Sequence, residues 1–173
     1  MPIRFAKLSA TGNDFILFDN RDRFFRGDEE RLFRTICTRR VAIGADGVLL
    51  IEQSAKRGAQ SETERHAPDA LPSAHFTMRY FNRDGRESEM CGNGARASAY
   101  YAFRHGIAPA EMQFEVSGDL YHAVVAGNRV RLRMQKPWDL DLTPRALEEN
   151  VLEEGGYVNT GVPHYVLFAP NVE

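Results

Sequence analysis

Cys91-Gly92-Asn93-Gly94-Ala95-Arg96-Ala97-Ser98-Ala99-Tyr100-Tyr101-Ala102-Phe103-Arg104-His105-Gly106 is the stretch that decides the fold of this chain. Ala95, Ala97, Ser98, Ala99 and Ala102 place small residues on most sides of one helix, and Gly106 is a natural residue to end it, so the helix is expected over about residues 92–105. A helix that is small on most sides has close neighbours all round. It is therefore expected inside other structure.

The flanking sequence supplies that structure as strands. Upstream, Phe76, Met78 and Tyr80 alternate with Thr77, Arg79 and Phe81, a strand periodicity that Asn82 to Gly85 ends in a turn. Val48-Leu49-Leu50-Ile51 is a continuous apolar run that reads as a buried strand. Arg4 to Leu8 and Asp14 to Phe18 read as two strands joined by the polar segment Ser9 to Asn13. Downstream, residues 120–126 and 129–135 flank Gly127-Asn128 and read as a hairpin.

A second helix is expected after Asp28 as N-cap, with Leu32, Phe33, Ile36 and Cys37 on its apolar face and Thr38-Arg39-Arg40 closing it. Arg31, Arg34, Arg39 and Arg40 are expected as solvated surface. Thr143-Pro144 suggests another helix start. Residues 53–74 carry almost no large apolar side chains and read as a mobile surface loop. Strands interleaved with two main helices make the class α+β.

Composition narrows the function without naming it. The 173 residues are 43% hydrophobic and 27% charged, the balance of an ordinary globular protein. Twenty-two Lys and Arg against 24 Asp and Glu leave a net charge of −2, without the positive excess of a nucleic-acid binder. No apolar run has the length of a membrane span, and the start Met1-Pro2-Ile3-Arg4-Phe5 lacks a signal-peptide core. The expectation is a soluble, cytoplasmic protein that binds neither nucleic acid nor membrane. Two cysteines form no disulfide framework, and His66, His75, His105 and His122 show no metal-ligand spacing, so no metal is expected.

The chemistry concentrates at Cys91. Free backbone N–H groups at a helix start favour a thiolate and can cradle a carboxylate, and Gly92 and Gly94 let a ligand approach the backbone. A thiol beside a carboxylate cradle suits removal of the proton next to that carboxylate. From the residues alone, a buried structural cysteine near a glycine turn remains an equal alternative. Taken singly, Asn13-Asp14 reads as a turn, His164 as a bland loop or strand-end histidine, Cys37 as core packing, and Glu87 and Glu89 as solvated loop acids.

Four separated blocks resemble the diaminopimelate epimerases. Thr11-Gly12-Asn13-Asp14-Phe15 resembles the family's GNDF motif, and Gly44-Ala45-Asp46-Gly47 its G-x-D-G/Q segment. Asn82 to Arg96 is similar to its N-x-D-G…CGNGAR signature, and Gly161-Val162-Pro163-His164 to its GNPH motif. The resemblance implies a diaminopimelate-epimerase-like fold of two pseudo-symmetric lobes, each a mixed curved sheet wrapped around a central helix. Residues 1–136 would be the N-terminal lobe and residues 137–173 the start of a second, incomplete one.

It further implies epimerisation of LL- to meso-diaminopimelate, in lysine and peptidoglycan precursor synthesis, by two cysteines and without a cofactor. Cys91 would be one of the two acid/base residues. Gly92 and Asn93 would hold the substrate at the helix start, Asn13 and Asn82 would hydrogen-bond it, and His164 would stand beside the thiols. The complete protein would be a homodimer.

The sequence also departs from the family. Nothing matches the E-R-G-x-G-x-T motif or the second cysteine block, CGSGA, that family members carry further on. Gly47 stands where some members have Gln, and Val162 where many have Asn. This chain would therefore supply one cysteine and be inactive alone. Two alternatives remain: a catalytically dead half serving as a binding or assembly module, and a proline-racemase-like isomerase, although Asn93 replaces the His of the racemases' Cys-Gly-His-Gly block.

Overall fold

Thr11-Gly12 joins the first two strands, β1 (Ala6–Ala10) and β2 (Asn13–Asp19), as a two-residue turn. Both residues are left-handed, with φ of 51° and 90°, which is the turn geometry that matches strand twist. The strands therefore pair right up to the turn, Ala10 opposite Asn13, and the five-residue connection expected from sequence shrinks to two. The structure, a computed structural model, describes residues 2–26, 28–54, 74–142, 146–148, 151–152 and 155–168.

Two units are present, Met1–Arg133 and Met134–Glu173. In the first, β1 and β2 are followed by α1 (Glu30–Cys37), β3 (Gly47–Glu52), β4 (Thr77–Asn82) and β5 (Glu87–Ser88). Then come α2 (Gly92–Arg104), β6 (Glu111–Val116), β7 (Asp119–Ala126) and β8 (Arg129–Arg133). The strands form one mixed sheet in the order β1-β2-β3-β4-β6-β7-β8, with β5 paired to β4. The β2–β3 and β4–β6 pairs are parallel and the rest antiparallel.

Helix α2 touches β1, β2, β3, β4, β7 and β8. Because both ends of the strand order reach it, the sheet must curl around it. Gly94, Ala95, Ala97, Ser98, Ala99 and Ala102 are buried, so small residues let the backbone sit deep inside that curl. His105 caps the helix and Gly106, at φ 68°, follows it, as the sequence indicates.

The sheet's outer face is covered by α1. Ile16, Phe18, Phe25, Phe33, Val48, Leu50 and Phe81 form that core, and Phe33 stacks edgewise on Phe25 and Phe81 at 5.4 and 4.8 Å. Alternate residues of the same strands, Phe15, Leu17, Leu49 and Ile51, are equally buried. A strand covered on both faces needs apolar residues at every position, which explains the unbroken Val48–Ile51 run.

Several details differ from expectation. Helix α1 starts at Glu30 with Glu29 as its cap residue and without a side-chain cap bond, so Asp28 does not cap it. The Glu29 carbonyl takes the first helical bond, from Phe33, while its carboxylate turns back to the Arg26 N–H at 2.7 Å. Strand β6 has no counterpart in the sequence reading, although Met112, Phe114 and Val116 alternate as buried residues. Residues 55–73 of the expected loop lie outside the described residues; the flanking Ser54 and Ala74 are buried.

The second unit contains β9 (Trp138–Asp141), β10 (Ala146–Glu148), β11 (Val151–Leu152), β12 (Gly155–Asn159) and β13 (Pro163–Leu167). Strands β13-β12-β9 form a three-stranded antiparallel sheet, and β10 pairs with β11. Thr143 and Pro144 lie outside the described residues, and the segment after them is strand rather than the expected helix. Its pairing with β11 overrides the local helix-start signal.

Candidate active site

The chain reaches α2 through Cys91, which is still extended (φ −135°, ψ 109°) and serves as the helix N-cap. Its Sγ accepts the Gly94 N–H at 3.4 Å, and its carbonyl accepts the Ala95 N–H at 2.8 Å. The N–H groups of Gly92 and Asn93 precede those bonds and form the open, electropositive start of the helix. Cys91, Gly92 and Asn93 are all half-buried.

Asn93 ties this helix start to the first hairpin. Its Nδ2 donates to Asn13 Oδ1 at 2.7 Å, while its Oδ1 accepts from Arg96 Nη2. Asn13 in turn donates to Asp46 Oδ2 at 3.2 Å, and the same oxygen accepts the Asp14 N–H at 3.1 Å. The Asp46 N–H closes the loop by donating to the Asp14 carbonyl at 2.8 Å. Three of the four sequence blocks are thus one hydrogen-bonded unit, in which Asn13 faces Asn93 with its acceptor and Asp46 with its donor.

Charges fasten the outside of this unit. Arg39 donates from Nη1 to Asp14 Oδ2 at 3.1 Å, from Nη2 to Asp14 Oδ1, and from Nη2 to Asp46 Oδ1 at 2.9 Å. Lys7 adds an ion pair to Asp14 at 2.8 Å. Partial burial works against the Asp14 charge, but the Arg39 and Lys7 hydrogen bonds outweigh it and hold the carboxyl well below the usual carboxylate range. Asp46 is lowered too: burial opposes its charge, and bonds from Asn13, the Asp14 N–H and Arg39 overcome that. Arg39, expected as solvated surface, is therefore a clamp on two site loops. Its partners lie 25 and 7 residues away, and only folding brings them within reach.

Asn82 ends β4. In the sheet, Phe15 lies opposite Gly47, and Gly47 opposite Asn82, so the three form a row across β2, β3 and β4. That row puts Asn82 at the same end of the sheet as Asn13 and Asp46, with its side chain exposed. Tyr80, which the sequence marks only as a strand residue, lies two positions before Asn82 on β4. Its ring packs edgewise on Phe15 at 6.1 Å, and burial pushes its phenol up to about 12, with the charges of Cys91 and Asp46 adding to the effect. A Cβ at Gly47 would lie 2.5 Å from the Phe81 carbonyl oxygen and 2.6 Å from the Tyr80 ring, and one at Gly94 would meet Leu49 at 2.9 Å.

The remaining candidates fall elsewhere. Cys37 is fully buried in the last turn of α1, and burial raises its thiol to about 11. Glu87 is not a loosely solvated acid, because Arg79 grips both its oxygens at 2.7 Å. His164 belongs to the second unit, where it is exposed on β13 and its Nδ1 contacts the Val162 carbonyl at 2.9 Å and Thr160 Oγ1 at 3.2 Å. Among the described residues no cluster of His, Cys, Asp or Glu could hold a metal ion, and no helix is long and apolar enough to cross a membrane.

Residues 5–137 match the family model described as diaminopimelate epimerase. The chain is 34% identical over 176 residues to a diaminopimelate epimerase of Hydrogenobaculum sp. (strain Y04AAS1), covering 97% of this chain and 58% of that protein. It is 35% identical over 173 residues to that of Chlorobaculum tepidum, covering 96% and 57%. The chain thus spans less than two thirds of the length of these curated relatives.

Among solved structures, the chain is similar to a hydroxyproline epimerase from Agrobacterium vitis with bound trans-4-OH-L-proline (TM-score 0.63, 11% identity, 95% of this chain and 51% of that one). It is also similar to a Bacillus anthracis phenazine biosynthesis protein of the PhzF family (TM-score 0.59, 17% identity, 95% and 54%). At those identities the likeness shows the fold.

Proposed function

The chain belongs to the diaminopimelate epimerase family, and from that premise we propose that it carries one half of a two-thiol proton transfer at the α-carbon of diaminopimelate. Cys91 is the acid/base of this half. Its thiolate takes the α-proton from one face and becomes a thiol; a second thiol gives a proton to the opposite face and becomes a thiolate. One proton leaves, one arrives, and the configuration inverts. No cofactor is needed in this scheme.

The N–H groups of Gly92 and Asn93 bind the α-carboxylate at the helix start. Asn13 and Asn82 bond the substrate from the sheet end, and His164 is a site-assisting residue. We assign residues 1–136 to the first lobe and residues 137–173 to the start of the second, in a protein that works as a homodimer.

The observation that carries this reading is the half-buried Cys91 Sγ at the open end of α2, with Asn93 fixed by Asn13 beside it. Cys37, buried and raised to about 11, does not fit the role of the second thiol. The chain by itself should therefore bind substrate but epimerise negligibly.

The test is protection. LL-Diaminopimelate should slow alkylation of Cys91 by iodoacetamide in a saturable way, whereas L-lysine, which lacks the second carboxylate, should protect less. Alkylation at an unchanged rate in saturating LL-diaminopimelate would overturn the reading.

A further inference from the structure

Two rows of paired residues cross β2, β3 and β4. Leu17, Leu49 and Tyr80 form an inner row, and Phe15, Gly47 and Asn82 the row at the sheet end. The rows lie two residues apart along each strand and so share one face. That face is turned to α2, because a Cβ at Gly94 would lie 2.9 Å from Leu49 Cδ2.

The Tyr80 side chain leans from the inner row over the outer one. Its ring meets that of Phe15 at 6.1 Å, and a Cβ at Gly47 would lie 2.6 Å from the Tyr80 ring and 3.2 Å from its hydroxyl oxygen. The space that a side chain at position 47 would fill is thus taken by the end of Tyr80. Its hydroxyl thereby reaches the end of the sheet that carries Asn13, Asp46 and Asn82.

Tyr80 is only 8% exposed. Among the described residues its hydroxyl has no hydrogen-bond partner, yet it is not sealed from solvent; the unpartnered side-chain oxygens that are sealed belong to Ser98 and Tyr165. Nearly buried polar groups are normally satisfied, so an unused donor at this place calls for a ligand group. Burial keeps the phenol protonated, with a value pushed up to about 12, and Cys91 comes first among the charges that add to the shift. At neutral pH it can therefore donate.

We infer, on the basis of the proton transfer proposed for Cys91, that Tyr80 is a substrate-binding residue whose hydroxyl donates to the second carboxylate of a dicarboxylic amino acid. The helix start, which holds the α-carboxylate in that scheme, sits over Leu49 in the inner row, while the hydroxyl lies over Gly47 in the outer one. The two donors are offset along the strands, so a substrate that uses both carries an acidic group at each end. A phenol donating to a carboxylate makes a charge-assisted bond.

Tyr80→Phe tests this, because it keeps the ring and removes only an unpartnered hydroxyl. Its melting temperature should match the wild type. The concentration of LL-diaminopimelate that half-protects Cys91 from iodoacetamide should rise about tenfold, the loss of one charge-assisted bond. The half-protecting concentration of L-lysine, which lacks the second carboxylate, should be the same in both proteins. In wild-type chain carrying ¹³C at tyrosine Cζ, the Tyr80 signal should shift saturably with LL-diaminopimelate. An unchanged half-protecting concentration, an equal weakening of both ligands, a lowered melting temperature or a Tyr80 signal that stays in place would overturn the role of Tyr80 and leave that of Cys91 standing. Absence of protection by LL-diaminopimelate in the wild type would overturn the role of Cys91, and that of Tyr80 with it.

Discussion

Asn93 Nδ2 and Asn13 Oδ1 meet at 2.7 Å across 80 residues of sequence, and this one bond joins the buried helix to the rim of the sheet. Asn13 serves Asn93 with its oxygen and Asp46 with its nitrogen. Asn13→Leu therefore removes a donor and an acceptor at once and leaves two half-buried groups short of partners. The expected loss is about 1–3 kcal/mol of unfolding free energy, measured by urea denaturation. Asn13→Asp keeps the acceptor but puts a second carboxylate against Asp46, and should lose at least as much at neutral pH. A loss confined to the leucine variant would mean that the Asp46 contact carries no weight.

Asp14 makes the fold acid-sensitive. Its carboxyl is held below the ordinary value by Arg39 and Lys7, while in the unfolded chain it returns to about 3.9. A group with a depressed folded value stabilises the protein above the unfolded value and loses that contribution as the pH falls below it. Stability should therefore be flat above about pH 5 and decline from about pH 4 downward. Asp14→Asn should lower stability at neutral pH and flatten the acid decline, because the titrating group is gone. Urea midpoints between about pH 6 and about pH 3 check this. An acid slope identical to that of the wild type would assign the acid sensitivity to other carboxylates.

The elements that local pattern can specify were legible in the sequence. Small residues marked α2 as interior, and unbroken apolar residues marked β3 as covered on both faces. Cys91 stands out as a candidate because glycines beside a thiol at a helix start describe a chemistry, and Asn93 stands out only through the resemblance of its motif; folding adds the placement of both at the start of α2. Arg39 was not, since a cation on the polar side of a helix looks the same whether it faces water or Asp14 and Asp46. Tyr80 was read as one more strand residue, because its proximity to Cys91 follows from the strand register and the curl of the sheet. The Thr143-Pro144 helix-start signal was purely local, and the β10–β11 pairing settles the conformation after it as strand.

Gly47 is fixed by space rather than by turn geometry. A side chain there would drive its Cβ to 2.5 Å from the Phe81 carbonyl oxygen and into the Tyr80 ring. The backbone oxygen cannot move away without disturbing the β3–β4 pairing. Gly47→Ala should cost about 1–3 kcal/mol, as overpacking does, and Gly47→Gln, the residue some family members carry, should cost more in this chain. Thermal unfolding of both variants measures it. A Gln variant as stable as the wild type would show that β3 and β4 shift to admit it.

The two thiols should behave differently. Cys37 is fully buried, and its thiol is raised to about 11, so at neutral pH it is both shielded and protonated. Cys91 is half-buried at an open helix start. Iodoacetamide should therefore label Cys91 at least about tenfold faster than Cys37 in the folded chain, and the two rates should converge in denaturant. Cys91→Ala should leave only the slow reaction. It should also fold, because the Sγ contact to the Gly94 N–H at 3.4 Å is long and its loss costs about 1 kcal/mol or less. In a protein extended by the family's second half, Cys91→Ala should abolish epimerisation while leaving that fold intact. Near-normal turnover in that variant would mean that Cys91 is a helix cap and nothing more, whereas equal labelling of the two cysteines would count only against their difference in access and protonation.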